Sequence, residues 1–226
     1  YYGATTVLLY LVLLQLFRPQ QGQVKAYFVA LAASLLFAVH PIHTEVVANV
    51  KGRDEILTLL GSLGALYLSL RAFHNKQPLY NLLAGVVFFL ALMAKENAIM
   101  FLFVAPLAYY FFTSAKTGEI IKQALPFAIA AGAFLAIRFS VLGFGLSDPP
   151  MEMMNNPFVK VQGNGYVAFT AQERFATVIY SLGKYLQLLF VPVTLTHDYY
   201  PRAIGVMTFG DWEAMLSLLL YLALGA

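Results

Sequence analysis

The chain contains no cysteine and a single tryptophan. Without cysteine there are no disulfides and no thiolate metal sites, and a membrane chain facing an oxidising compartment does without either. Charge is scarce too: Lys, Arg, Asp and Glu make up 11% of the 226 residues, against roughly 25% in a globular domain. So few charges cannot cover a soluble domain of this size. The net charge of +3 is small for the length, so its distribution says more than its sum, and no nucleic-acid partner is expected. A Gly-rich phosphate loop and a nucleophile elbow are both missing, which leaves no nucleotide pocket to argue for.

What fills the chain is apolar: 60% hydrophobic residues and a mean hydropathy of +0.72. This composition belongs to an integral membrane protein. A helical span takes about 20 apolar residues, so 226 residues hold up to about eight helices. The runs are continuously apolar rather than alternating, which excludes a closed β-barrel. Spans are expected at about 1–17, 26–39, 56–73, 78–94, 97–112 and 124–142, then at 174–193 and 213–226. The expected fold is all-α, a polytopic transmembrane bundle of about seven or eight helices making one membrane domain over residues 1–226. Both ends lie inside apolar runs, so the sequence reads as a piece of a longer protein.

The few cations alternate between connections. Arg18 and Lys25, Arg71 and Lys76, and Lys116 and Lys122 occupy three short alternate loops, which the positive-inside rule places in the cytoplasm. The stretch from His40 to Glu55, the tight Lys95-Glu96 turn and the long segment from Gly143 to Glu173 then share the outer face. In the first of these, Pro41 suits an initial helical turn, and Ile42, Val46, Val47 and Val50 recur at helical spacing before Gly52 ends the element. A short amphipathic interfacial helix is expected, with His43, Glu45 and Asn49 on its polar side. Arg53, Asp54 and Glu55 open the next span, where acidic residues also suit the helix dipole. His40, His43 and Glu45 form either a bare polar face or a site. As metal ligands, His-x-x-His with one carboxylate lacks a matching partner.

Lys95 is the sole cation of its outer turn and Arg138 lies near the outer end of its span, both against the charge rule. Capping and snorkelling account for either residue taken alone. Together, cations kept at the outer surface suit an anion, and a lipid phosphate is the natural one. The Gly143 to Glu173 segment, punctuated by Asp148-Pro149-Pro150 and Asn155-Asn156-Pro157, is expected to lack regular structure and to serve as a lid, an acceptor loop or a disordered connection. Asp198 and Tyr199 follow a helix carrying Lys184, and whether that helix spans decides the side on which Asp198 sits.

The segments HPIHTEVV, GRDEILTLL, LMAKENAI, AIRFSVLG, NNPF, ERFATVIYSLGKYLQLL and LTHDYYP occur in this order along the chain. In that order the chain resembles the membrane part of transmembrane and tetratricopeptide-repeat-containing proteins, which are similar to the protein O-mannosyltransferases of the GT-C glycosyltransferase superfamily. The resemblance covers nearly the whole chain. It implies a GT-C-like polytopic enzyme that moves a sugar, such as mannose, from a polyprenyl- or dolichyl-phosphate carrier to an acceptor protein or glycan on the outer or luminal side. The Lys95 turn is similar to the outer-loop lysine of many GT-C enzymes. Family members carry a catalytic acidic residue after their first span, and residues 1–17 resemble the second span. The resemblance thus implies that this loop and the C-terminal repeats fall outside these residues, and that the fragment is inactive alone.

Such a transfer makes an oxocarbenium-like centre and a departing phosphate, so it needs a carboxylate for the acceptor proton and cations for the leaving group. Lys95, Arg138 and Arg53 are the candidates for the donor phosphate. Glu45, His43 and Asp54 are the catalytic candidates, and His40, Glu96, Asp198 and Tyr199 the candidates for the acceptor pocket. The partners are membrane lipid, the lipid-linked sugar and the acceptor, with a divalent metal left open. Compact loops and the lack of cysteine favour a bacterial inner membrane over the endoplasmic reticulum, with the site facing the periplasm or lumen. Two rival readings use the same residues: a transporter or flippase for lipid-linked substrates, which should show inverted repeats that are not evident, and a membrane assembly subunit.

Overall fold

The computed structural model describes residues 1–143, 150–193, 195, 196, 199 and 202–225, leaving out the side chains of 19–21. The chain forms two compact units, Tyr1–Gly145 and Leu146–Ala226. The first holds helices α1 (Tyr2–Gln21), α2 (Gln23–Val39), α3 (Thr44–Ala48), α4 (Arg53–Asn75), α5 (Pro78–Ala94), α6 (Phe101–Phe112) and α7 (Thr117–Leu142). Short 3₁₀ turns at Pro41–His43 and Val50–Gly52 flank α3, and another at Glu96–Met100 leads into α6. The breaks follow local chemistry. Gly22, at φ 76°, separates α1 from α2, and Pro78 starts α5 where its missing N–H costs nothing.

Every expected span coincides with a helix. Among the described residues two are long and apolar enough to cross a membrane, Val50–Asn75 and Thr117–Leu142, and α2 joined to Pro41–Ala48 makes a third if that pair, bent by 49°, is one span. Tyr2–Arg18, Pro78–Ala94 and Glu96–Phe112 are shorter apolar helices of 10–17 residues. At 1.5 Å per residue the longest of these reach about 26 Å, near the lower limit for a bilayer core of about 30 Å.

Small residues set the packing. A Cβ on Gly61 would lie 2.8 Å from the Cβ of Ala91, and one on Gly85 would lie 3.0 Å from the Cβ of Pro126. α4, α5 and α7 therefore approach almost backbone to backbone. Gly64, facing Val87 and Leu8, likewise serves packing within this chain. Around these contacts sit Phe88, its ring tilted against that of Phe127 at 5.0 Å, with Leu70, Leu92 and Val12 fully buried. α1 packs on α2 and on α4, and α6 on α7. The resulting bundle has two polar ends. One gathers Tyr2, the α2–α4 connection, the Lys95 turn and Arg138. At the other, Phe17 meets Phe112 and Asn81 reaches Lys122. The expected segregation of alternate loops is thus realised in unit 1.

The second unit corrects one expectation. The Gly143 to Glu173 stretch does contain regular structure: β1 (Val159–Gln162) pairs antiparallel with β2 (Gly165–Ala168), Gln162 opposite Gly165. Gly163 and Asn164 form the two-residue turn, and Gly163 at φ 61° supplies the positive φ such a turn wants in first position. Val-Lys-Val-Gln and Gly-Tyr-Val-Ala on either side of Gly163-Asn164 carry a hairpin signal that the Pro-rich flank obscured. Residues 144–149 of that stretch lie outside the described ones.

α8 (Ala171–Phe190) starts at a capping box, Thr170 bonding the Glu173 N–H while the Glu173 carboxylate accepts from the Thr170 N–H. Lys160 Nζ reaches Glu173 at 2.5 Å and ties the hairpin to the helix. α8 packs against α9 (Trp212–Gly225), so close that a Cβ on Gly183 would sit 2.0 Å from Ser217 Oγ. α8 is not among the helices apolar enough to cross a membrane. Its polar and apolar residues fall on opposite faces, the pattern of a helix lying along an interface. α9 is another of the short apolar helices.

Candidate functional site

The connection from α2 to α4 is held by its own polar residues. His40 Nδ1 accepts from the Ile42 N–H at 3.2 Å, and Pro41 occupies the first helical position, as its fixed φ allows. The helical spacing read from Ile42 to Val50 is real, but the element is not one helix: α3 stops at Ala48, and Asn49 turns extended to cap the next 3₁₀ turn by accepting from the Lys51 N–H at 3.0 Å. Gly52 closes the segment, because a Cβ there would lie 2.6 Å from the Val46 carbonyl oxygen.

This break separates residues that a continuous amphipathic helix would have aligned. Glu45 stays on the polar side, accepting from Asn49 Nδ2 at 2.9 Å. His43 turns inward instead: its Nδ1 lies 2.9 Å from the Phe37 carbonyl oxygen and 2.9 Å from Tyr2 Oη, with the Phe37 ring 4.3 Å away. A proton on Nδ1 donates to Phe37, while Tyr2 O–H donates to the same carbonyl at 2.9 Å and to Ala38 at 3.2 Å. Burial chiefly holds the His43 pKa below the ordinary imidazole value, helped by the neighbouring His40 and opposed by the bond to Phe37. His43 is a neutral latch between the loop and the end of α2.

The charged cluster forms across 40 residues of sequence. Lys95 leaves the end of α5 in extended conformation and its Nζ donates to Glu55 Oε1 at 2.5 Å, with Asp54 Oδ2 at 3.5 Å. The hydrogen bond to Glu55 raises the Lys95 pKa, the Glu55 and Asp54 charges adding to it against a smaller desolvation. In the first turn of α4, Asp54 Oδ1 also accepts from the Glu55 N–H at 2.8 Å. The next residue after Lys95 makes the second pair, Glu96 Oε2 lying 2.5 Å from Arg138 Nη1. Three carboxylates and two cations from α4, the Lys95 turn and α7 thus meet at one end of unit 1.

Of the sequence candidates, the structure joins Lys95 with Asp54 and Arg138 with Glu96. Arg53 is exposed at the start of α4 and takes part in no ion pair among the described residues. Glu45 and His43 belong to the preceding loop. Tyr199 belongs to unit 2, and Asp198 lies outside the described residues. Among the described residues no three His, Cys, Asp or Glu side chains are grouped to hold a metal ion. Sequence reasoning treated Glu55 only as a helix-dipole residue; its role as the nearest partner of Lys95 had no local signal, since the two are 40 positions apart.

A helical bundle with an ion-paired cluster at one end of its apolar helices is an integral membrane protein equipped to handle charge at a bilayer surface. The chain belongs to the dolichyl-phosphate-mannose-protein mannosyltransferase family, which it matches over residues 2–143. It is 28% identical over 195 residues to a protein O-mannosyl-transferase of Caenorhabditis elegans, covering 85% of this chain and 26% of that protein. Protein O-mannosyl-transferase tmtc2 of Xenopus laevis is 29% identical over 211 residues, 86% of this chain and 24% of its own length. Tmtc2 of Drosophila melanogaster is 31% identical over 179 residues, 75% and 18% respectively. The chain therefore spans about a quarter or less of these relatives, all of them from animals, which does not favour the bacterial inner membrane. No solved structure matches the chain.

Proposed function

We propose that the chain forms the donor-handling part of a GT-C protein O-mannosyltransferase, which takes mannose from a polyprenyl- or dolichyl-phosphate carrier and delivers it to a protein hydroxyl on the extracytoplasmic or luminal face. One observation supports it above the others: Lys95, at the end of the apolar helix α5, is held between two carboxylates in a chain of this family. An ammonium has three donors. Glu55 takes one and Asp54 faces a second, so a third is left for a phosphate oxygen while the carboxylates fix where the ammonium points. Arg138, oriented by Glu96, is a second cation for the same anion. As the glycosyl–phosphate bond breaks, charge grows on the leaving phosphate, and preorganised cations there stabilise the transition state more than the ground state. Asp54 and Glu45 are the carboxylates within unit 1 able to take an acceptor proton or to orient the sugar.

The test uses the full-length protein in nanodiscs with mannosyl-phosphoryl polyprenol and an acceptor peptide. Wild type should bind the donor saturably and transfer mannose, while Lys95→Ala should lose donor binding and Glu45→Ala should keep it. A well-folded wild type that neither binds nor turns over the donor would remove this reading, and donor movement across the bilayer without transfer would replace it with transport.

A further inference from the structure

The end of unit 1 away from Lys95 holds a groove of about 1040 Å³ between the end of α4, the start of α5 and the first half of α7. Its walls change character along its length. His74, Lys76, Asn81, Lys122 and Gln123 line one part, and Leu82, Val86 and Ile129 line the other. Those three apolar side chains are 64%, 51% and 63% exposed, so no protein group of this unit covers them. The groove runs along α7 from Lys122 to Ala133, about 16 Å at helical rise, which accommodates a length of acyl chain.

The polar part is only partly paired within the protein. Gln123 is 9% exposed, and its buried Oε1 has no hydrogen-bond partner. Neither Lys76 nor Lys122 belongs to an ion pair among the described residues. Lys76 is the one non-glycine residue at positive φ among them, 55°, a position glycine usually fills at a helix end. The one carboxylate on the groove, Glu119, is turned to the backbone N–H of Lys116 at 2.9 Å. Asn81 is fixed in place, donating to the Lys122 carbonyl at 3.3 Å and accepting from Ser69 at 3.2 Å.

We infer that this groove binds an anionic glycerophospholipid, its phosphate between Lys76 and Lys122 and an acyl chain along Leu82, Val86 and Ile129. Cations without carboxylate partners and a continuous apolar wall occur together in this one groove, and they match the phosphate and the acyl chain of such a lipid. The site is separate from the donor cluster at the opposite end of the same unit and does not depend on the glycosyl-transfer reading.

Native mass spectrometry of the full-length protein, titrated with phosphatidylglycerol or phosphatidylcholine in detergent, tests this. Wild type should bind at least one phosphatidylglycerol about tenfold more tightly than phosphatidylcholine. Lys76→Ala with Lys122→Ala should abolish that preference, and Lys25→Ala, at the same end but off the groove, should leave it intact. Restoring charge with Lys76→Arg and Lys122→Arg should recover binding. Equal binding of the two lipids by wild type overturns the inference without recourse to any variant. So does an equal loss in Lys25→Ala, which would indicate only diffuse attraction. A photo-crosslinker at position 129 that captures another segment of the protein rather than lipid would overturn it as well.

Discussion

The two ends of unit 1 hold their cations in opposite ways. At one, Lys95 and Arg138 are matched to Asp54, Glu55 and Glu96. At the other, Arg71 lies 5.9 Å from the Tyr67 ring and 5.4 Å from that of Tyr80, Arg18 lies 5.0 Å from that of Tyr27, and no ion pair occurs there among the described residues. Pairing with carboxylates fixes an ammonium in space and lowers its net attraction for bulk anions. Placing cations on tyrosines leaves their charge unneutralised and their aromatic neighbours at the interfacial level. The first arrangement suits a site where one anion must be oriented, the second an end whose cations stay unneutralised at the level of the lipid head groups.

The difference breaks most sharply at Lys95. Lys95→Ala removes the ammonium and leaves Asp54 and Glu55 side by side, so donor binding should be lost and transfer should fall about a hundredfold, the scale of removing one preorganised donor. Lys25→Ala at the other end should change transfer less than twofold. Parallel rate measurements on the two full-length variants check this, and similar losses in both would mean that the ends are not functionally distinct. A steric change gives the next largest effect. Gly52→Ala forces a Cβ within 2.6 Å of the Val46 oxygen, so the α3 segment must move away from α4, at a cost of about 1–3 kcal/mol. Thermal unfolding should show the loss, and a variant as stable as wild type would mean that this segment is loosely held.

At the opposite end, Ser69, Tyr109 and Asn81 form a hydrogen-bonded line, Tyr109 O–H donating to Ser69 Oγ at 2.8 Å. Ser69→Ala leaves the buried Tyr109 hydroxyl short of a partner and should cost about 1–2 kcal/mol of stability. Donor binding at the Lys95 end should not follow. Loss of both in a binding assay and a melting curve would show that the two ends are coupled through α4.

The sequence made the helices legible because continuous apolar runs have one physical solution in a bilayer, and alternate basic loops gave their order. Lys95 and Arg138 stood out because each violated the charge rule. Their partners were not legible: Glu55 and Glu96 read equally well as helix-end residues, and which carboxylate meets which cation depends on how α4, α5 and α7 pack, set by Gly61 on Ala91 and Gly85 on Pro126. His43 was misaligned with Glu45 for a related reason. Helical spacing was carried through Asn49, whose side chain instead competes for the backbone and ends α3. The groove beside Lys76 left no linear signal, being formed by three segments brought together.

The smallest expected effect is a pH dependence that separates two groups of the Lys95 end from each other. Burial keeps the folded-state pKa of His43 below the ordinary imidazole value of about 6.5. A depressed pKa means that the native state holds fewer protons than the unfolded one in the window below that value. The latch therefore contributes fully above about pH 6.5 and is lost as the pH falls through the folded pKa. Lys95 behaves oppositely, its pKa being raised by Glu55, so it stays charged throughout this range and contributes no slope. Melting curves between pH 7.5 and 5 should show stability falling on acidification, with a shallower fall in His43→Asn, whose amide can still donate to the Phe37 carbonyl. A steeper fall in the variant, or a wild type that gains stability in acid, would mean that the loop holds the imidazolium, and His43 would then join the charged residues of the Lys95 end rather than latch the neutral loop beside it.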